Sequence, residues 1–403
     1  MKNQLKTEEA AARLGVKPTT LYSYVSRGLL SRERGKDGRS RFLLEEVEQL
    51  RQHSRSTAIR PGHLPSSALT SVSTDGTALY FRGRNALDIA ASQRFEAAAG
   101  WLWTGQVTSP DAPWQTEATA LRTGQAVQRA LLPATLPLDR LRATASAVAP
   151  CDVARYETDA TSVQATGRRL ISVLVDSLPL VGELPRESTI SARLWSRLAK
   201  SPPQPAAEAL LNEALVLLLD HELSLSTLSA RLAASWLADP YSVVAAGLST
   251  LGAPRQAGAM LAAENLLTEV TRPPRVEWTI EDRLRRGDRL PGFGHRLHRS
   301  GDPRAGFLLD RLNQLCARSA KWEMVQVILA TTKARGIPPA NVDFALGALI
   351  HCLGLERGAS EAIFGLARAT GWIAHALEIY GGELTAQPDI SYLGRPTFSL
   401  PER

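Results

Sequence analysis

One segment, residues 292–304, limits the conformations open to this chain more than any other. Gly292 and Gly294 flank an aromatic residue and are followed directly by His295. Glycines at this spacing predict a constrained backbone that is not part of an ordinary helix. Further cationic side chains follow at Arg296, Arg299 and Arg304. A loop of this kind suits an anionic ligand better than a packed core, although a loop histidine taken alone is more often a surface residue than a catalytic one.

Beyond residue 79 the chain has a helical rather than an alternating pattern of apolar residues. The pattern predicts a mainly helical domain, with its clearest helices over residues 95–104, 117–132, 167–177, 206–219, 226–237 and 360–380. The fourth of these ends in Asp220-His221-Glu222, directly after an apolar run that must be buried. These ionisable groups either find buried partners or form a capped helix end that turns back to solvent.

Length and composition set outer limits on the architecture. A chain of 403 residues predicts two or three structural units. The longest purely apolar run, residues 214–219, is far shorter than the roughly 18 residues of a membrane span, and the first residues lack the apolar stretch of a secretory signal. We therefore expect a cytoplasmic protein. Three cysteines and seven histidines without metal-site spacing predict reduced core cysteines and no metal or other cofactor.

The front of the chain carries most of its basic character. Residues 1–60 hold thirteen Lys and Arg against seven Asp and Glu, a net charge of +6 out of +7 for the whole chain. Such asymmetry indicates an anionic partner for this segment, nucleic acid being the first candidate, although a basic face can also simply be solvated.

Residues 1–53 have the spacing of helices joined by a tight turn. Thr7, a capping hydroxyl followed by two acids, predicts the start of a first helix, and Pro18 predicts the start of a second. Residues 32–41 contain glycines placed for a hairpin with a basic tip, and a third helix is predicted over residues 44–53.

Sequence matches in this module are Thr7-Glu8-Glu9-Ala10-Ala11, Thr20-Leu21-Tyr22-Ser23-Tyr24, Arg27-Gly28-Leu29-Leu30 and Arg39-Ser40-Arg41. Through these matches the module, residues 1–53, resembles the winged helix-turn-helix of MerR-type and excisionase proteins. The resemblance implies that the second helix enters a major groove while the wing contacts phosphates. The implied DNA-binding residues are Thr19, Thr20, Tyr22, Ser23 and Arg27 on the helix, with Arg34, Lys36, Arg39 and Arg41 on the wing. The alternative is that this module serves for docking or dimerisation. The composition of residues 54–66 predicts a linker.

The segment 292–304 also carries a second resemblance. Gly292-Phe293-Gly294-His295 followed by Asp302-Pro303-Arg304 is similar to the signature of the citrate synthase family, Gly-aromatic-Gly-His followed by Asp-Pro-Arg. Further matches in family order are Tyr80-Phe81-Arg82-Gly83, Asp220-His221-Glu222, Asp239-Pro240-Tyr241, Asn341-Val342-Asp343-Phe344, and Arg368 before Gly371-Trp372-Ile373-Ala374-His375. For residues 67–403 this implies a mainly α, two-lobed helical domain, with a small lobe at about 256–360 inserted in the large lobe, and a homodimer.

The resemblance also implies a reaction and its residues. Members of the family condense an acyl-CoA, usually acetyl-CoA, with a 2-oxo acid, usually oxaloacetate, and release CoA without a metal. Asp343 would be the general base, and His295 would polarise the ketone. His221, Arg304 and Arg368 would bind the oxo-acid carboxylates, and Arg299 would face the CoA phosphates. Without the resemblance, Asp343 would be a helix cap like Asn341, and Arg368 a helix arginine reaching solvent.

Two positions depart from the family pattern. Where the family has a Gly-Pro-x-His-Gly-Gly-Ala segment, whose histidine holds the enol oxygen, this chain reads Ala253-Pro254-Arg255-Gln256-Ala257-Gly258-Ala259, so that Gln256 takes the catalytic position. Where the family has an Arg-Pro whose arginine reaches the partner subunit's site, this chain has Gln387-Pro388, with Arg395-Pro396 further on.

These features leave two functions open. The first is a condensing enzyme, of reduced or altered activity, because an amide can donate one hydrogen bond but cannot transfer a proton. The second is a DNA-binding transcription regulator that uses an impaired citrate-synthase domain to sense a CoA thioester or an oxo acid. A purely structural fusion explains the fewest of these residues.

Overall fold

The computed structural model describes the chain over residues 4–14, 16–26, 30–35, 38–44, 46–47, 67–106, 113–185, 189–254, 256–270 and 272–382. These residues fall into two compact units, one within residues 1–66 and the other within residues 67–385. Among them no helix is both long and apolar enough to cross a membrane. The expected cytoplasmic location stays a prediction.

The front unit combines two helices with a small sheet. The helices are α1 (Thr7–Leu14) and α2 (Pro18–Ser26), and the strands are β1 (Gln4–Lys6), β2 (Glu33–Arg34) and β3 (Ser40–Leu43). Strand β3 is central and pairs antiparallel with both neighbours. The predicted helices and hairpin are confirmed. Strand β1 was not predicted, because its three residues are too few to show an alternating pattern.

The start of the first helix differs from the prediction. Thr7 is itself the first helical residue rather than the cap, and the carboxylate of Glu9 accepts a hydrogen bond from the backbone N–H of Lys6 instead. A separate apolar core holds this unit together, made of Ala10, Ala11, Leu21, Leu30, Phe42 and Val47. Of the predicted third helix, residues 44, 46 and 47 are helical and the rest lies outside the described residues.

The second unit begins with a three-stranded antiparallel sheet and continues almost entirely in helices. Its strands are β4 (Thr70–Val72), β5 (Leu79–Phe81) and β6 (Arg84–Asn85), in the order β4-β5-β6. Its helices are α3 (Ala86–Ser92), α4 (Phe95–Thr104), α5 (Ala118–Ala130), α6 (Pro137–Val148), α7 (Ala160–Ser177), α8 (Ile190–Leu198), α9 (Pro205–Leu217), α10 (Leu225–Ser235), α11 (Pro240–Leu251), α12 (Ala257–Glu269), α13 (Pro273–Arg285), α14 (Pro303–Cys316), α15 (Ala320–Ala334), α16 (Val342–Leu353) and α17 (Ala359–Tyr380).

Helix α17 lies at the centre of this unit. Its residues are almost all buried, and it packs against helices from several parts of the chain, including α6, α7, α10 and α11. Trp372, fully buried, lies against Gly247 of α11, where an added Cβ would come within 2.5 Å of the indole ring. The apolar contacts of α17 therefore fix the position of Arg368 and His375, two polar residues that it carries into the interior.

The mainly helical fold is confirmed, and the six predicted helices are all present. The predicted helix over residues 167–177 starts two turns earlier, at Ala160, because the carboxylate of Asp159 accepts hydrogen bonds from the N–H groups of Thr161 and Ser162. The predicted helix over residues 206–219 ends earlier, at Leu217. The residues that follow it leave the helix and enter the interior.

Candidate functional site

The segment with the two glycines packs directly against the start of α16. Gly294 donates to the carbonyl of Pro339 over 2.8 Å, and Asn341 donates to the carbonyl of Gly292 over 2.9 Å. Gly292 has φ +81°, and a Cβ there would come within 2.9 Å of the backbone of Phe344. Only glycine permits this approach, which brings the loop carrying His295 next to the helix turn carrying Asp343.

Asp343 lies in the first turn of α16 but does not cap it. The cap is Asn341, whose side-chain oxygen accepts from the N–H groups of Asp343 and Phe344. The Asp343 carboxyl is thus free of a capping role. Burial raises its pKa from 3.8 to about 6, and the cation of Arg304 only partly offsets this. A carboxylate with such a pKa can accept a proton near neutral pH.

Three histidines meet close to one another. His295 and His298 come from the glycine segment, and His221 from the residues after α9. The ring centres lie 5.2 Å apart for His221 and His295, 5.1 Å for His221 and His298, and 4.8 Å for His295 and His298. Burial lowers the pKa of His295 to about 4, and burial together with Arg304 holds the pKa of His221 well below its ordinary value. Both rings are therefore neutral at pH 7 and can donate hydrogen bonds without carrying charge.

The loop that holds His221 is strained as well as buried. Glu222 has φ +50°, a left-handed conformation that is uncommon outside glycine. Asp220 and His221 are only 0% and 8% exposed, so the alternative of a helix end turned to solvent is wrong. Strain of this kind is typical of loops whose side chains must point in a required direction.

Arg304 begins α14 and is held by its own neighbour in the sequence. Its Nε and Nη2 donate to the two carboxylate oxygens of Asp302 over 3.0 and 2.8 Å. Asp302 also accepts from the N–H of Arg304 and of Val342, and Arg304 lowers its pKa to about 2 even though burial opposes this. This pair fixes the guanidinium rigidly while leaving Nη1 outside the two bonds to Asp302.

Arg368 has fewer hydrogen bonds than Arg304. Its Nη1 is 3.6 Å from Asp220, and its Nε and Nη1 have no hydrogen-bond partner among the described residues. Asp220 is instead bonded by Thr70 and, over 3.2 Å, by His375. Buried donors without partners are costly, so the Arg368 guanidinium is suited to an anion that enters the site.

One cation links the whole group electrostatically. Burial lowers the pKa values of His221, His295 and Arg368, and the charge of Arg304 lowers them further. The same charge partly offsets the rise that burial causes in the pKa of Asp343. Five of the predicted site residues therefore lie in one cluster, although they are far apart in the sequence: His221, Arg304 and Arg368, which are buried, and His295 and Asp343, which are half-buried. Perturbed groups gathered in this way are typical of a functional site.

Two further predicted residues are not among the groups whose pKa values Arg304 influences. Gln256, at the start of α12, donates from Nε2 to Ser226 Oγ over 3.2 Å. Arg299 is exposed on the glycine segment. Sequence reasoning assigned no role to His298, Asp302 or His375. His298 follows His295 by three residues, and its burial at 1% exposure gave no signal in the sequence. Gln387 and Arg395 lie outside the described residues.

The front unit exposes several of the residues predicted to meet DNA. Tyr22 is 44% exposed on α2, and the guanidinium of Arg32 lies 5.5 Å from its ring centre. Thr19, Arg34 and Arg39 are exposed, whereas Thr20 and Arg41 are half-buried. Ser23 belongs to α2 by its backbone. Arg27 and Lys36 lie outside the described residues.

The buried cluster has the parts needed to abstract a proton next to a carbonyl group. Asp343 can accept the proton, neutral histidines can donate to an oxygen that gains charge, and buried arginines can bind an anionic substrate. Over the residues that the structure describes, no group of three or more His, Cys, Asp or Glu is arranged to hold a metal ion.

Comparison with known proteins gives two family matches. A family model described as "Citrate synthase, C-terminal domain" matches residues 64–396, and one described as "Helix-turn-helix domain" matches residues 5–55. Citrate synthase 2 of Bacillus subtilis is 34% identical over 215 residues, which are 52% of this chain and 58% of that protein. A 2-methylcitrate synthase of Mycobacterium tuberculosis is 26% identical over 358 residues, 83% of this chain and 90% of that protein. The chain spans little more than half the length of several citrate synthases that it matches.

Solved structures share the fold. The citrate synthase of Thermoplasma acidophilum, in a ternary complex with carboxymethyl coenzyme A and oxaloacetate, aligns with a TM-score of 0.72 and 22% identity, covering 86% of this chain and 97% of that one. The citrate synthase of Thermotoga maritima aligns with a TM-score of 0.69 and 22% identity, covering 86% and 98%.

Proposed function

Because the chain belongs to the citrate synthase family, we propose that its large domain joins an acyl-CoA, acetyl-CoA in the simplest case, to a 2-oxo acid such as oxaloacetate, and releases CoA. The observation that carries this proposal is the buried cluster around Arg304. It combines a carboxyl whose pKa is about 6 with a histidine whose pKa is about 4. A carboxyl whose pKa is raised and a histidine whose pKa is lowered are typical of a base and a hydrogen-bond donor that act together at one site.

Asp343 is the proposed base. The methyl group of an acyl-CoA is a weak acid, so its proton must pass to a group of matched basicity that is held against it. Burial supplies that basicity, since a carboxylate with a pKa of about 6 is a stronger base than an exposed one and is still ionised at pH 7. The position of Asp343 in the first turn of α16, fixed by the Asn341 cap, limits its freedom to move.

His295 is the proposed donor to the ketone of the oxo acid. With a pKa of about 4 it is neutral, so that it polarises the ketone without adding a proton to the substrate. Its Nδ1 accepts from the N–H groups of Leu297 and His298 over 3.1 and 3.2 Å. The single proton of a neutral ring must then be on Nε2, which is the nitrogen left to donate to the substrate.

The carboxylates of the oxo acid are proposed to bind Arg368, Arg304 and His221. Arg368 contributes most, because its Nε and Nη1 have no hydrogen-bond partner among the described residues and its planar guanidinium matches a carboxylate. Arg304 is already bound to Asp302 through two atoms, so it offers its remaining side and a fixed charge.

Gln256 is proposed to hold the enol oxygen in place of a histidine. The side chain is oriented by Ser226, which accepts one of its two amide hydrogens and leaves the other for the substrate. A preorganised neutral donor of this kind typically supplies about 10²–10³ of rate. The activity is therefore proposed to be lower than that of a chain with histidine at this position. Arg299, exposed, is proposed to contact the CoA phosphates.

A homodimer is proposed from the surface of the second unit. Large apolar side chains are exposed on α10 and just after it: Leu225 (73%), Leu232 (55%), Trp236 (66%) and Leu237 (52%). Apolar groups exposed so close together are typical of a surface that is covered in the assembled protein.

The deciding experiment measures thiol release from acetyl-CoA and from the acyl-CoA one carbon longer, each with oxaloacetate. We expect thiol release that depends on both substrates. The rate of release should drop at least about a hundredfold in Asp343→Asn. The longer thioester is included because a 2-methylcitrate synthase is among the relatives. If no thiol is released above background by the native chain or by Gln256→His, the enzymatic proposal is refuted.

A second function is favoured by the front unit. The match to a helix-turn-helix domain and the exposed basic wing support a DNA-binding regulator whose large domain senses a CoA thioester or an oxo acid. Gln256 favours this function if turnover is absent. DNA binding measured over a series of salt concentrations tests it, because phosphate contacts make affinity fall steeply with salt. Absence of any salt-dependent binding to genomic fragments would refute the regulator.

A further inference from the structure

His298 is the most deeply buried of the three clustered histidines, at 1% exposure. Its Nδ1 is hydrogen-bonded to the carbonyl oxygen of Gly76, in the turn between β4 and β5. A carbonyl oxygen only accepts hydrogen bonds, so this nitrogen carries a proton. On the other side of the ring, its Nε2 lies 2.9 Å from Nε2 of His221.

The contact between the two Nε2 atoms holds one proton, which belongs to one ring or the other. If His298 is neutral, its proton is on Nδ1 and its Nε2 accepts from His221. If His298 is protonated, its Nε2 donates, and His221 must then carry its own proton on Nδ1. His221 remains neutral in both cases, because burial and the cations of Arg304 and Arg368 lower its pKa and oppose a charge on it.

We propose that His298 is a positioning residue that decides which ring nitrogen of His221 donates, so that a carboxylate ligand binds together with a proton taken up by His298. Nδ1 of His221 has no hydrogen-bond partner among the described residues and is the nitrogen left for the ligand. A carboxylate accepts only, so it requires a proton at that nitrogen. The inference rests on the proposed function, since it takes the ligand to be the 2-oxo acid.

The charges around His298 come from each element packed against it. The same segment brings His295, which is neutral, and Asp302, which is ionised and paired with Arg304 of α14. The loop after α9 brings His221, and the β4–β5 turn brings the Gly76 carbonyl, beside Asp75 of the same turn. An anionic ligand would add negative charge beside the His298 ring, which favours its protonated form.

The anchor at Gly76 is built closely into the fold. An added Cβ at Gly76 would lie 2.2 Å from the carbonyl oxygen of Leu297, so the turn contacts the glycine segment backbone to backbone. The Nδ1 contact therefore does not depend on a flexible side chain. This geometry keeps the proton on Nδ1 of His298, so that only the protonation of Nε2 can change.

The first test reads the ring protons directly and needs no ligand. Long-range proton–nitrogen NMR spectra of the full chain with labelled histidine, at about pH 8 where unperturbed histidines are neutral, are expected to show His298 protonated on Nδ1 and His221 on Nε2. Assignment uses the spectra of His298→Gln and of His351→Gln, a half-buried histidine of α16 outside the cluster. A His298 protonated on Nε2 would overturn the inference and leave the proposed function untouched.

The second test measures proton uptake on binding oxaloacetate, by calorimetry of the full chain in two buffers of different ionisation enthalpy. The native chain is expected to take up about one proton more than His298→Gln, because the glutamine amide can contact His221 without titrating. His351→Gln should match the native chain. His298→Asn, which keeps a donor towards Gly76 but is too short to reach His221, should bind up to about tenfold more weakly, the effect of one lost hydrogen bond.

Equal proton uptake by the native chain and His298→Gln would refute the inference, even if oxaloacetate binds well. No binding of oxaloacetate by the native chain would refute the proposed function and the proton uptake with it. The NMR spectra would still decide whether His298 sets the proton of His221.

Discussion

Replacing Asp343 by asparagine should make the protein more stable and less active. The carboxyl lies in the first turn of α16, and burial raises its pKa from 3.8 to about 6. A shift of about two units corresponds to a free energy of roughly 3 kcal/mol, since each unit is worth about 1.36 kcal/mol. That energy opposes the ionised carboxylate in the folded chain.

The sign of the effect on stability follows from proton linkage. Between pH 3.8 and about 6 the folded chain keeps a proton on Asp343 that the unfolded chain has lost, so the free energy of unfolding falls as pH rises through this window. Above it both states are ionised, and the whole loss of roughly 3 kcal/mol remains. The Asp343→Asn variant has no charge to bury at this position, so it should gain up to that amount at about pH 8 and little at about pH 4.

The effect on activity has the opposite direction. Loss of a general base typically lowers the rate by about 10²–10⁴. In the native chain, kcat/KM should be flat above about pH 6 and should fall about tenfold per pH unit below it, because the protonated carboxyl cannot accept a proton.

Thermal unfolding of the native chain and of Asp343→Asn at several pH values, together with thiol release, measures both effects. Asp310→Asn, at an exposed carboxylate on α14, serves as the control and should change neither. If Asp343→Asn is no more stable than the native chain at about pH 8, or if it keeps most of its activity, the assignment of a raised pKa and a basic role to Asp343 is wrong.

Further substitutions test the other proposed roles. Arg368→Lys removes the planar fork, so the KM for oxaloacetate should rise about tenfold or more in steady-state kinetics, while the KM for the acyl-CoA stays the same. Gln256→His should raise kcat by up to about 10²–10³, and a lower kcat would argue against the enol-binding role. Trp236→Asp should shift sedimentation from dimer to monomer, because it adds a charge to an exposed apolar surface. Arg34→Ala should lower the salt dependence of DNA binding by about one ion, and an unchanged slope would exclude a phosphate contact.

The bounds of a helix were predicted well where a residue with a strong terminating or capping preference marks its end. Helix α4 ends at Thr104 because Gly105 adopts the left-handed conformation, and its predicted bounds are those observed. Helix α7 was predicted too short, because its first two turns are largely polar and only the cap at Asp159 marks their start. Helix propensity and apolar periodicity identify the interior of a helix. Its first residue depends on the capping residue, whose conformation is set by the path of the preceding chain.

The composition of the site was predictable, but its pairings were not. His295 and Asp343 lie far apart in the sequence, and their proximity results from the backbone contact of Gly292 with Phe344, which no pattern in either segment reveals. The resemblance implied that Arg304 and Arg368 bind carboxylates alike. In the structure Arg304 is fixed by Asp302, whereas Arg368 keeps two donors without hydrogen-bond partners among the described residues, a difference that depends on tertiary contacts.

The presence of Gln256 does not by itself favour sensing over catalysis. Even the complete loss of one preorganised donor costs on the order of 3–4 kcal/mol of transition-state stabilisation, whereas enzymes typically supply about 8 kcal/mol or more. In the proposed reaction the proton of the acyl-CoA passes to Asp343, so the enol-binding group needs to donate a hydrogen bond and need not transfer a proton. A domain used only for sensing would need no base, and burying an ionised carboxyl at a cost of roughly 3 kcal/mol would bring it no benefit. The retained, costly Asp343 therefore favours turnover more strongly than Gln256 opposes it.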